Sequence, residues 1–324
     1  MSEFKVEVVP VMLEKHPNAD SLSIAKVWGY SCIVKTEQFQ HLKSAAYCPV
    51  DTVVSDQPEF EFLKGKKRIR AMRLRGIYSE GLLIPARPHW QIGNDVTAEL
   101  GCAKYEEPEE IMTQTENESW PGWMPKYTDI ENYKRHSWSI KDKEQVIITC
   151  KIHGCCSSYA YHADRFWVCS HRCAKKYDER NMWWKVAEKY DLQNKLKQIP
   201  GFILYGEVYG QVQDLKYGAK PGELFFNAFD LYDINKHCYL EHDDFVSRLQ
   251  SLDIPRVPLL YNGPFFVDLL NLAEGQETAF PDSGHVREGI VIKPIQERRE
   301  HHGRVIYKFI SEGYRLRKGG LEKH

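Results

Sequence analysis

Val146-Ile147-Ile148-Thr149-Cys150-Lys151-Ile152-His153-Gly154 is a β-branched run that stops on a lysine and closes on a glycine. Such a run predicts a strand that delivers one lysine to a pocket and then turns. Lysine is the nucleophile of covalent enzymes only where its surroundings free the amine near neutral pH. A strand end followed by an ordinary turn has the same appearance. The reading therefore depends on whether the rest of the chain supplies acids, further cations and an aromatic platform in a matching order.

Downstream, 178–199 has helical character, with Trp184, Val186, Ala187, Tyr190, Leu192 and Leu196 forming an apolar stripe that Pro200-Gly201 ends. The apolar stretch 202–210 carries Glu207 between two glycines, an acid that is costly there unless paired or functional. A second strand is expected over 224–231, with Phe229 in it. In 286–294, Glu288 and Lys293 stand five apart. A flat strand would send them to opposite faces, but twist or a bulge at Gly289 would bring both to one pocket. Lys308 follows in another apolar strand, 304–309.

Lys-x-x-Gly at Lys151, Gly-Glu-x-x-Gly at Glu207, Phe-Asp-Leu at Phe229, Glu-Gly-Ile-Val-Ile-Lys-Pro at 288–294 and a closing strand lysine at Lys308 follow one another in this order. The ordered set resembles the covalent nucleotidyltransferases, the polynucleotide ligases and mRNA-capping enzymes, and within them the ATP-dependent RNA ligases. The resemblance implies a nucleotidyltransferase (ATP-grasp-like ligase) domain of antiparallel sheets with flanking helices. It also implies that Lys151 attacks the α-phosphorus of ATP and carries AMP as a phosphoramidate. The AMP then passes to an RNA 5′-phosphate, and a 3′-OH displaces it, at nicks in duplexes. Lys293 and Lys308 would supply cations at the α-phosphate, Glu288 would hold Mg2+ or Mn2+, and Glu207 would meet the ribose hydroxyls or a metal-bound water. Phe229 would stack on adenine, the backbone at Cys150 would face its amine, and Gly154 and Arg172 would complete the nucleotide site. Cys150 replaces an acid found in many relatives. Ile310 replaces a second lysine, whose phosphate contact is then either absent or taken up by Arg304, Arg315 or Arg317.

The first hundred residues read as short strands, 6–12, 23–29, 31–36, 68–74 and 81–85, which suggest a small all-β barrel. Lys15-His16-Pro17-Asn18-Ala19-Asp20-Ser21-Leu22 and Leu74-Arg75-Gly76-Ile77-Tyr78-Ser79-Glu80-Gly81 resemble the tRNA-binding OB modules of aminoacyl-tRNA synthetases. A leading OB domain is similar to the Naegleria/Deinococcus-type RNA ligase branch. The fold class expected is therefore α+β: an OB domain over 1–103, a linker over 104–125 and the nucleotidyltransferase domain over 126–324. Lys64, Lys66, Lys67, Arg68, Arg70, Arg73 and Arg75, seven basic residues with no acid among them, are the nucleic-acid candidates. Strand alternation would put Arg68 and Arg70 on one face and Arg73 and Arg75 on the other.

The net charge of −1 does not by itself advertise a nucleic-acid partner, although it leaves room for a local basic groove. Nine cysteines at irregular spacing suggest free thiols. Cys155, Cys156, His162, Cys169, His171 and Cys173 cluster, but with no Cys-x2-Cys pair; buried thiols are the better expectation and zinc the weaker one. No stretch is long and apolar enough to span a bilayer, and an intracellular protein, cytoplasmic or nuclear, is expected. The expected partner is RNA or an RNA-containing nicked duplex, with the chain acting as a monomer. A DNA ligase or capping-type enzyme, an inactive nucleic-acid-binding relative and a zinc-dependent RNA-binding module are the alternatives.

Overall fold

The computed structural model describes residues 4–105 and 116–317. The chain divides into two compact units, one of residues up to 105 with Glu131–Trp138 and one of 116–130 with 139–317. The first is built of short antiparallel strands. Glu7–Pro10, Ser44–Cys48 and Leu82–Pro85 make one sheet, and Met12–Lys15, Leu22–Val27 and Tyr30–Lys35 make another. The strand Ser44–Cys48 is absent from the sequence reading, because Ser-Ala-Ala-Tyr-Cys has little β-branched character. It is nevertheless the middle strand of its sheet, buried between two partners. Conversely, only Met72–Leu74 of the expected strand 68–74 is formed, paired with Ile77–Ser79 through a turn in which Arg75 and Gly76 both have positive φ.

The described part of the expected linker is folded. Ala103–Lys104 pairs with Thr52–Val53, and Asn117–Glu118 pairs with Ala174–Lys175. Trp120, Trp123 and Met124 pack onto the second unit's core, since aromatic area of that size is stable only when buried.

The second unit contains a seven-stranded antiparallel sheet. At its centre lie Cys155–His162, Arg165–Ser170, Phe202–Gly210 and Leu224–Asp233. Alternation gives each strand two different faces. Tyr159, Leu204, Val208, Phe226, Ala228 and Leu231 point to the side covered by the helices Met182–Lys189, Leu192–Lys197 and His242–Ser251. Ala160, Cys169, Ile203 and Tyr205 point to the other side. The helix expected over 178–199 is thus two helices. Asn181 caps the first through the backbone N–H groups of Trp183 and Trp184, and Asp191, in the left-handed region, breaks the chain before the second.

The lysine strand Gln145–Lys151 belongs to a different sheet, between Gly289–Pro294 and Leu259–Pro264, with Tyr307–Ile310 on the far side of Gly289–Pro294. Register opposes Lys151 to Gly289, Thr149 to Val291 and Ile147 to Lys293, while Val291 also opposes Lys308. Directly opposed residues share a face, so Lys151, Lys308 and Lys293 project from one side of this sheet.

Candidate active site

The site lies where that lysine face meets the helix-free face of the seven-stranded sheet. Lys151 Nζ is 2.7 Å from Glu288 Oε1, an ion pair in which the lysine side chain is 26% exposed and the glutamate 6%. Glu288 stands immediately before the strand Gly289–Pro294, outside its ladder, and this frees its side chain to reach Lys151. The register runs evenly through Gly289, so the expected bulge is not there. Gly289 is needed for another reason: a Cβ would sit 2.2 Å from the carbonyl oxygen of Phe309 on the neighbouring strand.

Glu207 reaches the same place from the other sheet. Burial pushes its carboxyl up to about 8, with the Glu288 charge adding to the rise and Lys151 and the Gly154 backbone acting against it. Burial also acts on Glu288, but Lys151, His153 and Lys308 overcome it and hold that carboxyl below the usual range. Two glutamates around one lysine are therefore driven apart by their surroundings. Gly154 makes the approach possible, since a Cβ there would fall 2.3 Å from the Val208 carbonyl oxygen and 2.9 Å from Glu207 Cγ. The glycine of Lys-x-x-Gly is required by this close passage rather than by a turn conformation.

Lys293 is differently placed. Four residues along the ladder from the Lys151 level, about 13 Å at strand spacing, its buried ammonium lies 3.0 Å from Asp230 and 3.2 Å from Glu297. Arg304 joins them, 2.7 Å from Asp230, with its guanidinium 3.7 Å over Tyr239. Asp230 is buried, yet Arg304 and Lys293 hold its carboxyl well below the ordinary aspartate range. Lys308 acts electrostatically on Glu288, whereas Lys293 is engaged in a buried ion quartet. Arg304, offered as a substitute phosphate ligand, is in the same quartet. Arg317 is 2.9 Å from Asp214 instead.

A bulge in Leu224–Asp233 sets the aromatic platform. Tyr205 opposes Asp230 and Gly206 opposes Ala228, which leaves Phe229 as the extra residue. Phe229 and Asp230 consequently both meet Tyr127, by ring contact at 4.7 Å and by a 2.5 Å hydrogen bond from the tyrosine hydroxyl. Cys150 points away from Lys151. Its thiol donates to Glu277, which pairs with buried Arg287, and burial together with Glu277 pushes the thiol up. Its backbone N–H donates to the Pro258 carbonyl. His153 binds Asp214 at 2.7 Å and the Tyr314 hydroxyl at 2.9 Å, tying the nucleophile's loop to the helix Glu312–Leu316. Arg172 lies in the turn after Arg165–Ser170, at the sheet end where register also brings Ser157 and Gly206.

Sequence reasoning omits Asp230, Asn227, Glu277 and the His153 partners. Asp230 carries the same signal as Glu207, an acid in an apolar strand. The others depend on contacts distant in sequence. The nine cysteines are free thiols, seven of them buried, and among the described residues no group of three or more His, Cys, Asp or Glu side chains is placed to hold a metal. In the first unit, Lys64, Lys66, Lys67, Arg70, Arg73 and Arg75 are exposed, while Arg68 is half-buried. Arg68 lies 2.6 Å from Asp51 and stacks 3.7 Å over Tyr105, and Lys67 pairs with Asp56. Because 68–71 is not a regular strand, the expected alternation of these arginines between faces does not apply there.

The profile of the RNA ligase family matches residues 144–310, a little over half of the chain and the whole of the lysine site. The chain belongs to the RNA ligase family. An OB-fold domain profile matches residues 6–86 of this ligase, over the short-stranded first unit. Solved structures of Naegleria gruberi RNA ligase share the fold. A lysine-to-alanine mutant with ATP and Mn has a TM-score of 0.83 at 24% identity, covering 95% of this chain and 97% of that one. The same ligase with PPi gives 0.81 at 24%, over 96% and 97%. An aspartate-to-alanine mutant without ligand gives 0.82 at 25%, over 96% and 97%. No curated protein sequence matches the chain. Among the described residues no helix is long and apolar enough to cross a membrane.

Proposed function

We propose that this RNA ligase is ATP-dependent and seals 5′-phosphate and 3′-OH ends at nicks through AMP carried on Lys151. The observation that carries this reading is one lysine at the end of a strand, flanked by two carboxylates of opposite protonation tendency and a further cation. Solved Naegleria ligases of the same fold hold ATP and Mn or AMP and Mn, which supports a nucleotide and a divalent ion as partners of this architecture.

In the first step Lys151 Nζ attacks the α-phosphorus of ATP, an N–P bond forms, the bond to the bridging oxygen breaks and pyrophosphate leaves. For this the amine must release its proton and its ion pair with Glu288. Glu207, which interacts electrostatically with Lys151, would accept the proton in its ionised form, a fraction that grows as pH rises toward about 8. Phosphoryl transfer then needs mainly positioning and neutralisation of the oxygens. Lys308 supplies a fixed positive charge, and Phe229 offers adenine an aromatic face. Arg172 is placed for the ribose or a phosphate. In the second step the RNA 5′-phosphate takes the AMP and the N–P bond breaks. In the third the 3′-OH attacks that phosphate and AMP leaves.

A divalent ion fits one feature of the site: Glu288 Oε2 is buried and accepts no hydrogen bond among the described residues. Glu288 would hold it, with Glu207 contributing through water, and it would screen phosphate charge as a Lewis acid. Incubation with magnesium and α-labelled ATP is expected to label the protein, and Lys151→Met to abolish the label. Nicked duplexes with RNA or DNA at the 3′-OH then test the substrate; RNA is expected to be required, and equal sealing of all-DNA nicks would overturn that part.

A further inference from the structure

Asn227 is a polar side chain in the cleft that the reaction above leaves unused. Register opposes it directly to Glu207, so the two share the helix-free face of the seven-stranded sheet, while its neighbours Phe226 and Ala228 turn into the helix-covered core. The residue is 8% exposed, yet no described residue hydrogen-bonds its amide. Its surroundings are well partnered by comparison: Tyr127, Lys293 and Arg304 serve Asp230 on one side, and Lys151 serves Glu288 on the other. None of its amide atoms is among the fully buried polar atoms that lack a partner, so the carboxamide stays open to what enters the cleft. The bulge at Phe229 sharpens the point. Asn227 and Asp230 are three residues apart and would lie on opposite faces of a regular strand, whereas the extra residue puts Asn227, Asp230 and Glu207 along one wall.

We propose that Asn227 is a specificity-determining residue that hydrogen-bonds a ribose hydroxyl of the bound nucleotide, reading the sugar together with Glu207. This rests on the adenylylation reading above and adds a residue and a discrimination to it. The carboxamide supplies both a donor and an acceptor beside the carboxyl group, so a vicinal diol can be bound by two neighbouring groups on adjacent strands. A site built to bond a hydroxyl rejects the analogue that lacks it, because the amide then loses that bond.

The test is equilibrium binding of ATP and 2′-deoxy-ATP to the full-length protein without divalent ion, by calorimetry, for wild type, Asn227→Ala and Asn227→Asp. Wild type is expected to favour ATP by about tenfold or more, and both variants to reduce that ratio to within about twofold of unity. The isosteric aspartate serves where alanine disturbs folding, which circular dichroism reports. An unchanged ratio in a folded variant, or no preference in wild type, overturns the proposal. Covalent labelling separates this from the larger reading: label on Lys151 with an unchanged sugar ratio sinks only the role of Asn227. Failure of wild type to bind ATP at all sinks both.

Discussion

Lys151 and its two glutamates show how one constellation drives two like carboxyls toward opposite protonation states. Glu288 keeps its charge because cations surround it, and Glu207 is pushed toward neutrality because burial outweighs Lys151. The second fact has a consequence for stability. The carboxyl titrates near 8 in the folded protein and near 4.5 as an ordinary glutamate. Between these values the folded state binds more protons than the unfolded one, so this contribution is intact below the lower value and is lost as pH rises through the upper. Glu207→Gln is expected to melt like wild type near about pH 5 and several degrees above it near about pH 8.5. Thermal unfolding at the two pH values checks this, and a difference that fails to grow with pH would remove the basis for Glu207 as the proton acceptor. The same variant should slow labelling by about 10²- to 10⁴-fold.

Strand geometry decides which lysines act together. Gly154 lets the segment after Lys151 pass against the Val208 carbonyl. Gly154→Ala must displace one of the two strands, and a displacement of about an ångström between reacting groups costs on the order of 10²-fold in rate. Single-turnover labelling at saturating ATP measures it, and a rate within about twofold of wild type would show the close passage to be harmless. On the neighbouring strands Lys293 and Lys308 share a face but meet different neighbours. Lys293→Ala breaks a buried ion quartet and is expected to destabilise the protein by about 3–5 kcal/mol in urea unfolding. Lys308→Ala is expected to lower labelling. Were Lys293→Ala to unfold like wild type and lose only labelling, its ammonium would belong with the reacting phosphate.

Across the whole molecule, the residues proposed for adenylylation and those proposed for RNA binding are separate sets. The chain carries a net charge of −1, but its first unit presents Lys64, Lys66, Arg70 and Arg75 at the surface, in a segment that also exposes Phe62, a combination of cations and an aromatic that suits single strands. Replacing Lys64, Lys66 and Arg70 together by alanine is expected to weaken RNA binding and to lower the slope of log affinity against log salt by about 0.7 for each phosphate that is no longer neutralised. Labelling of Lys151 by ATP should be untouched. An unaltered salt slope would move the RNA site away from this segment.

The order of motifs was legible without coordinates because each sits in a short strand whose alternation and glycines are local properties. Lys151, Glu207, Glu288 and Lys308 were named as candidates from the ordered resemblance, and the leading all-β segment from its short strands. What local pattern could not convey was register. Whether Lys293 stands beside Lys151 or four residues along, whether a bulge falls at Gly289 or at Phe229, and which acid lies behind Cys150 all follow from the pairing of strands distant in sequence. A shift of one residue in that pairing reverses every side chain on a strand. The sequence therefore named candidate residues one by one, while the tertiary structure decided which of them meet.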